Sequence, residues 1–149
     1  MDDRERKIRR NMERLVEADA AGGYDAFVRE LTKKRDDWCE ANGDNLKLEG
    51  SEVRRAYTLL VIRYLGLDPT QVPVVFEDDT KIIWRSFNFC PLLEACKRLG
   101  KDTREVCRRA QEAPAQALVS KANRRLRFSR SYDRIRPYAQ FCEEMIEER

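Results

Sequence analysis

The 149-residue sequence contains no histidine, and that absence excludes more chemistry than any single residue suggests. Ser-His-Asp and Cys-His catalysis, HExxH zinc sites and imidazole-ligated haem all require an imidazole. Any general base has to be a carboxylate, a tyrosine, a lysine or another thiolate. Long apolar runs are missing too. The run Tyr57 to Ile62 falls far short of the roughly 20 residues that cross a bilayer. Met-Asp-Asp-Arg-Glu-Arg-Lys at the start has no apolar core of a secretory signal, so the expectation is a cytoplasmic protein with no membrane partner. Five cysteines with no CxxC fit a reducing compartment better than a disulfide framework. They also lack the paired spacing of structural zinc, and neither metal nor cofactor is expected.

Charge, in contrast, is abundant. Charged residues make up 38% of the chain, against roughly 25% in typical soluble domains, yet the net charge is only +3. Both signs are interspersed and the apolar residues stay periodic, which describes a well-solvated folded surface rather than disorder. Arginine far outnumbers lysine, and guanidinium forks suit carboxylates and phosphates, so a small anionic ligand is a reasonable partner. Lys121 to Arg136 is basic, with Asp133 its single acid and Phe128, Tyr132 and Tyr138 nearby. Aromatic-interleaved basic runs bind nucleic acid. The plainer reading is a charged surface that pairs with the acidic tail Glu143 to Glu148, and nucleic acid is disfavoured. Self-association into a homo-oligomer stays open.

Apolar periodicity predicts a single α+β domain in which residues 1–48 form a helical N-terminal extension and 49–149 the core. Ile8, Met12, Leu15 and Val16 mark a first helix; Phe27, Val28, Leu31, Arg35, Trp38 and Cys39 a second. Ser51 is a credible N-cap for a third, central helix carrying Val53, Ala56, Tyr57, Leu60 and Tyr64. Residues 72–76 and 81–89 then read as a hairpin around Glu77-Asp-Asp-Thr80, with burial on both faces near Trp84. Further helices follow from Pro91, from Asp102 and from Pro114. Leu126 to Tyr132 is a third strand, with Leu126, Phe128 and Arg130 on one face. Ile135, Tyr138, Ala139, Cys142, Met145 and Ile146 fall on one helical stripe, which predicts a last helix with Cys142 in its core. The sheet is therefore expected to be small, mostly antiparallel and of about three strands.

The stretch Lys81 to Cys96 carries the strongest local suggestion of chemistry. If Pro91 opens a helix, Cys90 is its N-cap, where free N–H groups and the helix dipole lower a thiol's pKa. A low-pKa thiolate is a nucleophile; the plainer reading is a small buried apolar residue beside Phe89. Ser86, Asn88 and Cys90 at the polar end of the second hairpin strand suggest a pocket.

Phe89-Cys90-Pro91, Cys107-Arg108, Leu126-Arg-Phe-Ser-Arg-Ser-Tyr132 and Tyr138-Ala-Gln-Phe-Cys142 together resemble the L-2-amino-thiazoline-4-carboxylic acid hydrolase-like family over roughly residues 50–149. The resemblance implies a small α+β protein and hydrolytic opening of an amino-thiazoline ring. The chain departs from the family pattern in its helical-looking tail after Cys142 and in Arg108-Arg109-Ala110, where acids are expected. On this reading Cys90 is the catalytic nucleophile, Arg85, Asn88 and Arg108 hold a small anionic substrate, and Cys107, Cys142 and Trp84 line the pocket. The alternative is a non-catalytic module that holds a small molecule or a metal with Cys90, Cys107 and Cys142.

Overall fold

Local signals set most of the element boundaries in the computed structural model, which describes residues 1–149. The first helix, α1 (Asp3–Ala21), starts where the Asp2 carboxylate accepts from the Glu5 N–H at 2.7 Å, and it stops at Gly22, whose φ of 75° suits glycine. Next come α2 (Asp25–Asn42) and α3 (Glu52–Tyr57), the latter capped by the Ser51 hydroxyl. After α3 the chain widens into a π-helix, Thr58–Tyr64. A hairpin follows, β1 (Val74–Glu77) and β2 (Lys81–Ser86). Its turn is held by the Asp78 carboxylate, which accepts from the N–H groups of Thr80 and Lys81. Three helices come next, α4 (Pro91–Leu99), α5 (Thr103–Ala110) and α6 (Glu112–Ala122), and the chain ends in β3 (Leu126–Arg130) and β4 (Cys142–Glu148).

The fold is α+β, with an antiparallel sheet of four strands in the order β1-β2-β4-β3. The fourth strand replaces the helix expected over residues 135–146. Glu, Met and Ile favour helix in isolation, but three of the four acids of this strand meet a cation across the sheet. Glu143 pairs with Arg85 at 3.2 Å, Glu144 with Arg130 at 3.6 Å and Glu147 with Lys81 at 3.7 Å. Together with two full backbone ladders, these pairs override local preference. Cys142 is consequently a half-buried strand residue rather than a helical core position, and the tail after it is extended.

Two further expectations shift. In β2 only Ile82, Trp84 and Ser86 are buried, while Lys81, Ile83 and Arg85 are half-buried, so the sheet is covered on one face. In α1 the inward residues include Asn11 and Arg14, whereas Val16 is 57% exposed. Arg14 turns inward because α2 supplies a carboxylate for it, Glu30, with bonds of 2.7 and 3.1 Å.

The core divides into two clusters. One lies between the sheet, α3 with its π-helix, and α6, and contains Trp84, Phe128, Leu118 and Ile146. The other gathers α1, α2, α4 and α5 around Leu15, Phe27, Leu92, Cys96 and Val106. The N-terminal helices are thus built into the domain, α1 packing on α4 and α2 on α6. Helix α6 also ties down β3: the Gln116 side chain donates to Leu126 O at 2.9 Å and accepts from the Phe128 N–H at 2.8 Å. This satisfies backbone groups of an edge strand that would otherwise invite a neighbour.

Phe128 joins β3, Trp84 and α6 in the first cluster. Its replacement by alanine is expected to cost about 3–5 kcal/mol, read as a lower urea midpoint at an unchanged slope. An effect below about 1 kcal/mol would show that this cluster does not hold the sheet to α6.

Candidate functional site

Antiparallel register decides what lies on the inner face of the sheet, because residues directly opposite one another point the same way. Ile82 is opposite Ile146, which is opposite Phe128, and that row is apolar. One step along, Trp84, Glu144 and Arg130 form a polar row, and beyond it Ser86 is opposite Cys142. The sheet therefore runs from an apolar half, buried under α6, to a polar half that faces open space.

That space is a cavity of about 610 Å³ between the two core clusters. Its wall brings together Trp84 of β2, Asn88 and Cys90 of the loop that leads into α4, Cys107 of α5 and Cys142 of β4. Arg85 and Arg108 are not part of it. Arg85 points to the opposite face of the sheet, where it pairs with Glu143 and lies 4.4 Å from the Phe141 ring centroid. Arg108 is exposed on α5 and stacks 4.3 Å over Tyr132. The guanidiniums that line the cavity next to its cysteines are those of Arg130 and Arg136.

Arg130 is unusual. Its guanidinium lies deep in the protein, with Glu144 at 3.6 Å as its ion-pair partner and 12% of its side-chain surface accessible. Nε and Nη1 are buried with no acceptor. Burial works against its charge, but Glu144 together with Cys107, Cys142 and Tyr132 outweighs it, so its pKa is shifted up. The Ser86 hydroxyl donates to the same Glu144 at 3.1 Å. Arg136 donates from Nη1 to Asn88 O at 2.6 Å and from Nε to Cys142 Sγ at 3.3 Å. The Trp84 Nε1 and Asn88 Oδ1 atoms are also buried without partners. Such orphaned groups call for an explanation, commonly an ordered water or a ligand.

Cys90 is the N-cap of α4, with Pro91 at the first helical position and Sγ accepting from the Leu93 N–H at 3.4 Å. The cap geometry is as expected, but the chemistry is not. Burial pushes the Cys90 thiol up, outweighing the opposite pull of the Leu93 N–H and Arg136. Burial likewise carries the Cys107 and Cys96 thiols up to about 12. Sγ atoms at this depth are neutral thiols near neutral pH. No three His, Cys, Asp or Glu side chains gather closely enough to hold a metal ion, so the cysteines line the cavity without forming a ligand set.

Basic side chains dominate the charged part of the wall: Arg4, Lys7, Arg14, Lys34, Arg35, Arg130 and Arg136 against Asp3, Asp68 and Glu144. The Lys121–Arg136 run does not present one surface. Lys121 pairs with Asp36 and Arg134 with Glu143, while Arg130 and Arg136 turn into the cavity. Arg130 and Glu144 are not among the site residues expected from the sequence. Arg130 carries a signal in the sequence, a lone guanidinium at the end of the apolar face Leu126–Phe128; Glu144 carries none, because its segment has a helical pattern. Comparison with protein-family models, curated proteins and solved structures finds no match to this chain.

The depth of Cys96 predicts a pH dependence. The folded protein holds this thiol neutral up to about 12, against an ordinary 9.0, so the unfolded chain releases the proton first. Stability should fall as pH rises through 9 towards 12, by at most about 1.4 kcal/mol per pH unit for one thiol. Urea titrations across that range should give a shallower decline for Cys96→Ala than for the wild type. Parallel declines would mean that Cys96 titrates alike in both states.

Proposed function

We propose that this protein is a small-molecule-binding domain whose central cavity takes an anionic ligand with an apolar body. The observation that carries the reading is Arg130: a deeply placed guanidinium whose Nε and Nη1 lack acceptors, in the wall of a cavity that mixes apolar side chains and thiols with an excess of basic groups. Burying polar N–H groups unpaired costs free energy, and a carboxylate or phosphate supplies the missing acceptors in the two-pronged geometry that arginine favours. Arg136, which has no carboxylate partner, adds positive charge on the same side. A volume of about 610 Å³ sits within the range of small-molecule sites. The resemblance to amino-thiazoline carboxylate hydrolases points the same way, since that name describes a small carboxylate.

A second reading, cysteine-assisted hydrolysis by Cys90, draws support from its N-cap position and its place in the cavity wall. The raised pKa weighs against it, because the thiol is the weaker nucleophile. Binding without a covalent step is therefore the reading preferred here, with Trp84, Asn88 and the three cysteines shaping the pocket.

Displacement of the anionic dye 8-anilinonaphthalene-1-sulfonate by aryl carboxylic acids, each compared with its neutral amide, tests the first reading. The acid is expected to bind about tenfold or more tightly than the amide, with the preference lost in Arg130→Gln. Equal affinity of acid and amide for the wild type would sink the proposal. For the second reading, iodoacetamide alkylation mapped by mass spectrometry should show Cys90 reacting more slowly than a cysteine of the unfolded chain at neutral pH. A faster Cys90 would restore it as a nucleophile.

A further inference from the structure

Arg35 presents a second unmet demand for negative charge. It is 6% exposed, projects from α2 and lines the same cavity. Its Nη1 donates to Leu31 O at 3.1 Å, one turn back on its own helix, and its Nε is buried with no acceptor. No carboxylate forms an ion pair with it. The acids that follow it in sequence are taken elsewhere, Asp36 by Lys121 at 3.4 Å and Asp37 by Lys33 at 2.7 Å. What it has is an aromatic floor. The guanidinium lies 4.9 Å from the Tyr64 ring centroid, and Trp38 meets that ring nearly at right angles with centroids 5.3 Å apart.

An aromatic face steadies a cation, but it leaves the N–H groups at the guanidinium rim without acceptors. A buried cation with no counter-charge is among the costliest arrangements in a protein interior. Tyr64 is itself set in place by the π-helix it terminates. Such helices are rare, are usually single-turn, and concentrate at functional sites. Here the wide turn puts Leu60, Val61 and Tyr64 on the cavity wall.

Arg35 and Arg130 occupy different parts of that wall. One extends from the second helix and the other from the end of the third strand, and they share no partner. Arg130 pairs with Glu144 and lies 5.6 Å from the Phe128 ring centroid, whereas Arg35 has no ion-pair partner and lies over Tyr64. Leu60, Val61, Ala115 and Phe128 contribute apolar wall to the same space.

We infer that Arg35 is a second anion-binding position, and that the cavity's ligand carries two acidic groups joined by an apolar body, one held by Arg130 with Arg136 and the other by Arg35. This rests on the reading of the cavity as an anionic-ligand site and names the ligand class within it.

Titration calorimetry with a chain-length series of α,ω-dicarboxylic acids, each against the monocarboxylic acid of the same length, tests the inference on the intact protein. At the matching length the diacid is expected to bind about tenfold or more tightly than the monoacid. In R35Q that gap should close, the diacid falling to the affinity of the monoacid for the same variant. Arg35→Lys, which keeps the charge but loses the fork, should leave part of the gap, and circular dichroism establishes that both variants fold. Equal affinity of the two acids at every length, or a gap that survives in folded R35Q, overturns the second position and leaves the single-anion reading standing. If neither acid binds the wild type, the anionic-ligand reading falls and the inference falls with it. The wild-type comparison decides even where a variant does not fold.

Discussion

The pairing of β4 between β2 and β3 is the interaction on which everything else in this structure depends. It joins the hairpin to the strand that follows α6, making one four-stranded sheet from pieces that would otherwise be a hairpin and an isolated edge. A two-stranded hairpin alone is marginal in water. With β4 in place, Ile146 closes the apolar row with Ile82 and Phe128, and Glu144 arrives beside Arg130. The same register brings Cys142 opposite Ser86, on the side where Cys90 caps its helix. A slip of one residue would turn Glu144 outward and Met145 inward, leaving Arg130 buried with no counter-charge.

The cavity follows from how the two core clusters meet. Each cluster is apolar within itself, but the surfaces they turn toward each other carry arginines, thiols and orphaned amide and indole groups. Apolar surfaces would close on one another to escape water. Guanidiniums resist that closure, since desolvating a cation without a partner costs several kcal/mol. An open cavity with an excess of basic side chains between two well-packed regions is the result.

Cys90 shows how two well-founded effects are ranked. A helix N-terminus favours a thiolate by roughly 0.3–1 kcal/mol when exposed, and by more when partly buried. Desolvation of a deeply buried charge moves a pKa by as much as several units. At the depth of Cys90 the second effect wins, and the thiol is shifted up despite its cap position. Position on a helix is a local property; depth is not.

That distinction separates what could be read from the chain from what could not. Helix caps at Asp2, Ser51 and Cys90, the glycine ending α1 and the hairpin turn at Asp78 are decided within a few residues, and the α+β class was legible because periodicity and turn chemistry are local. Whether Cys90, Cys107 and Cys142 share one pocket was left open by the sequence, since they sit on elements far apart in the chain and only tertiary packing brings them to one cavity wall. The state of residues 142–148 was not legible. Glutamate-rich residues prefer helix until Arg85, Arg130 and Lys81, distant in sequence, stand opposite them. Which arginines face the cavity was equally hidden. Arg85 and Arg108 are as plausible as Arg130, Arg136 and Arg35 on paper, and only the register of the sheet and the meeting of the two clusters determine which guanidiniums are buried at the cavity and which remain in solvent.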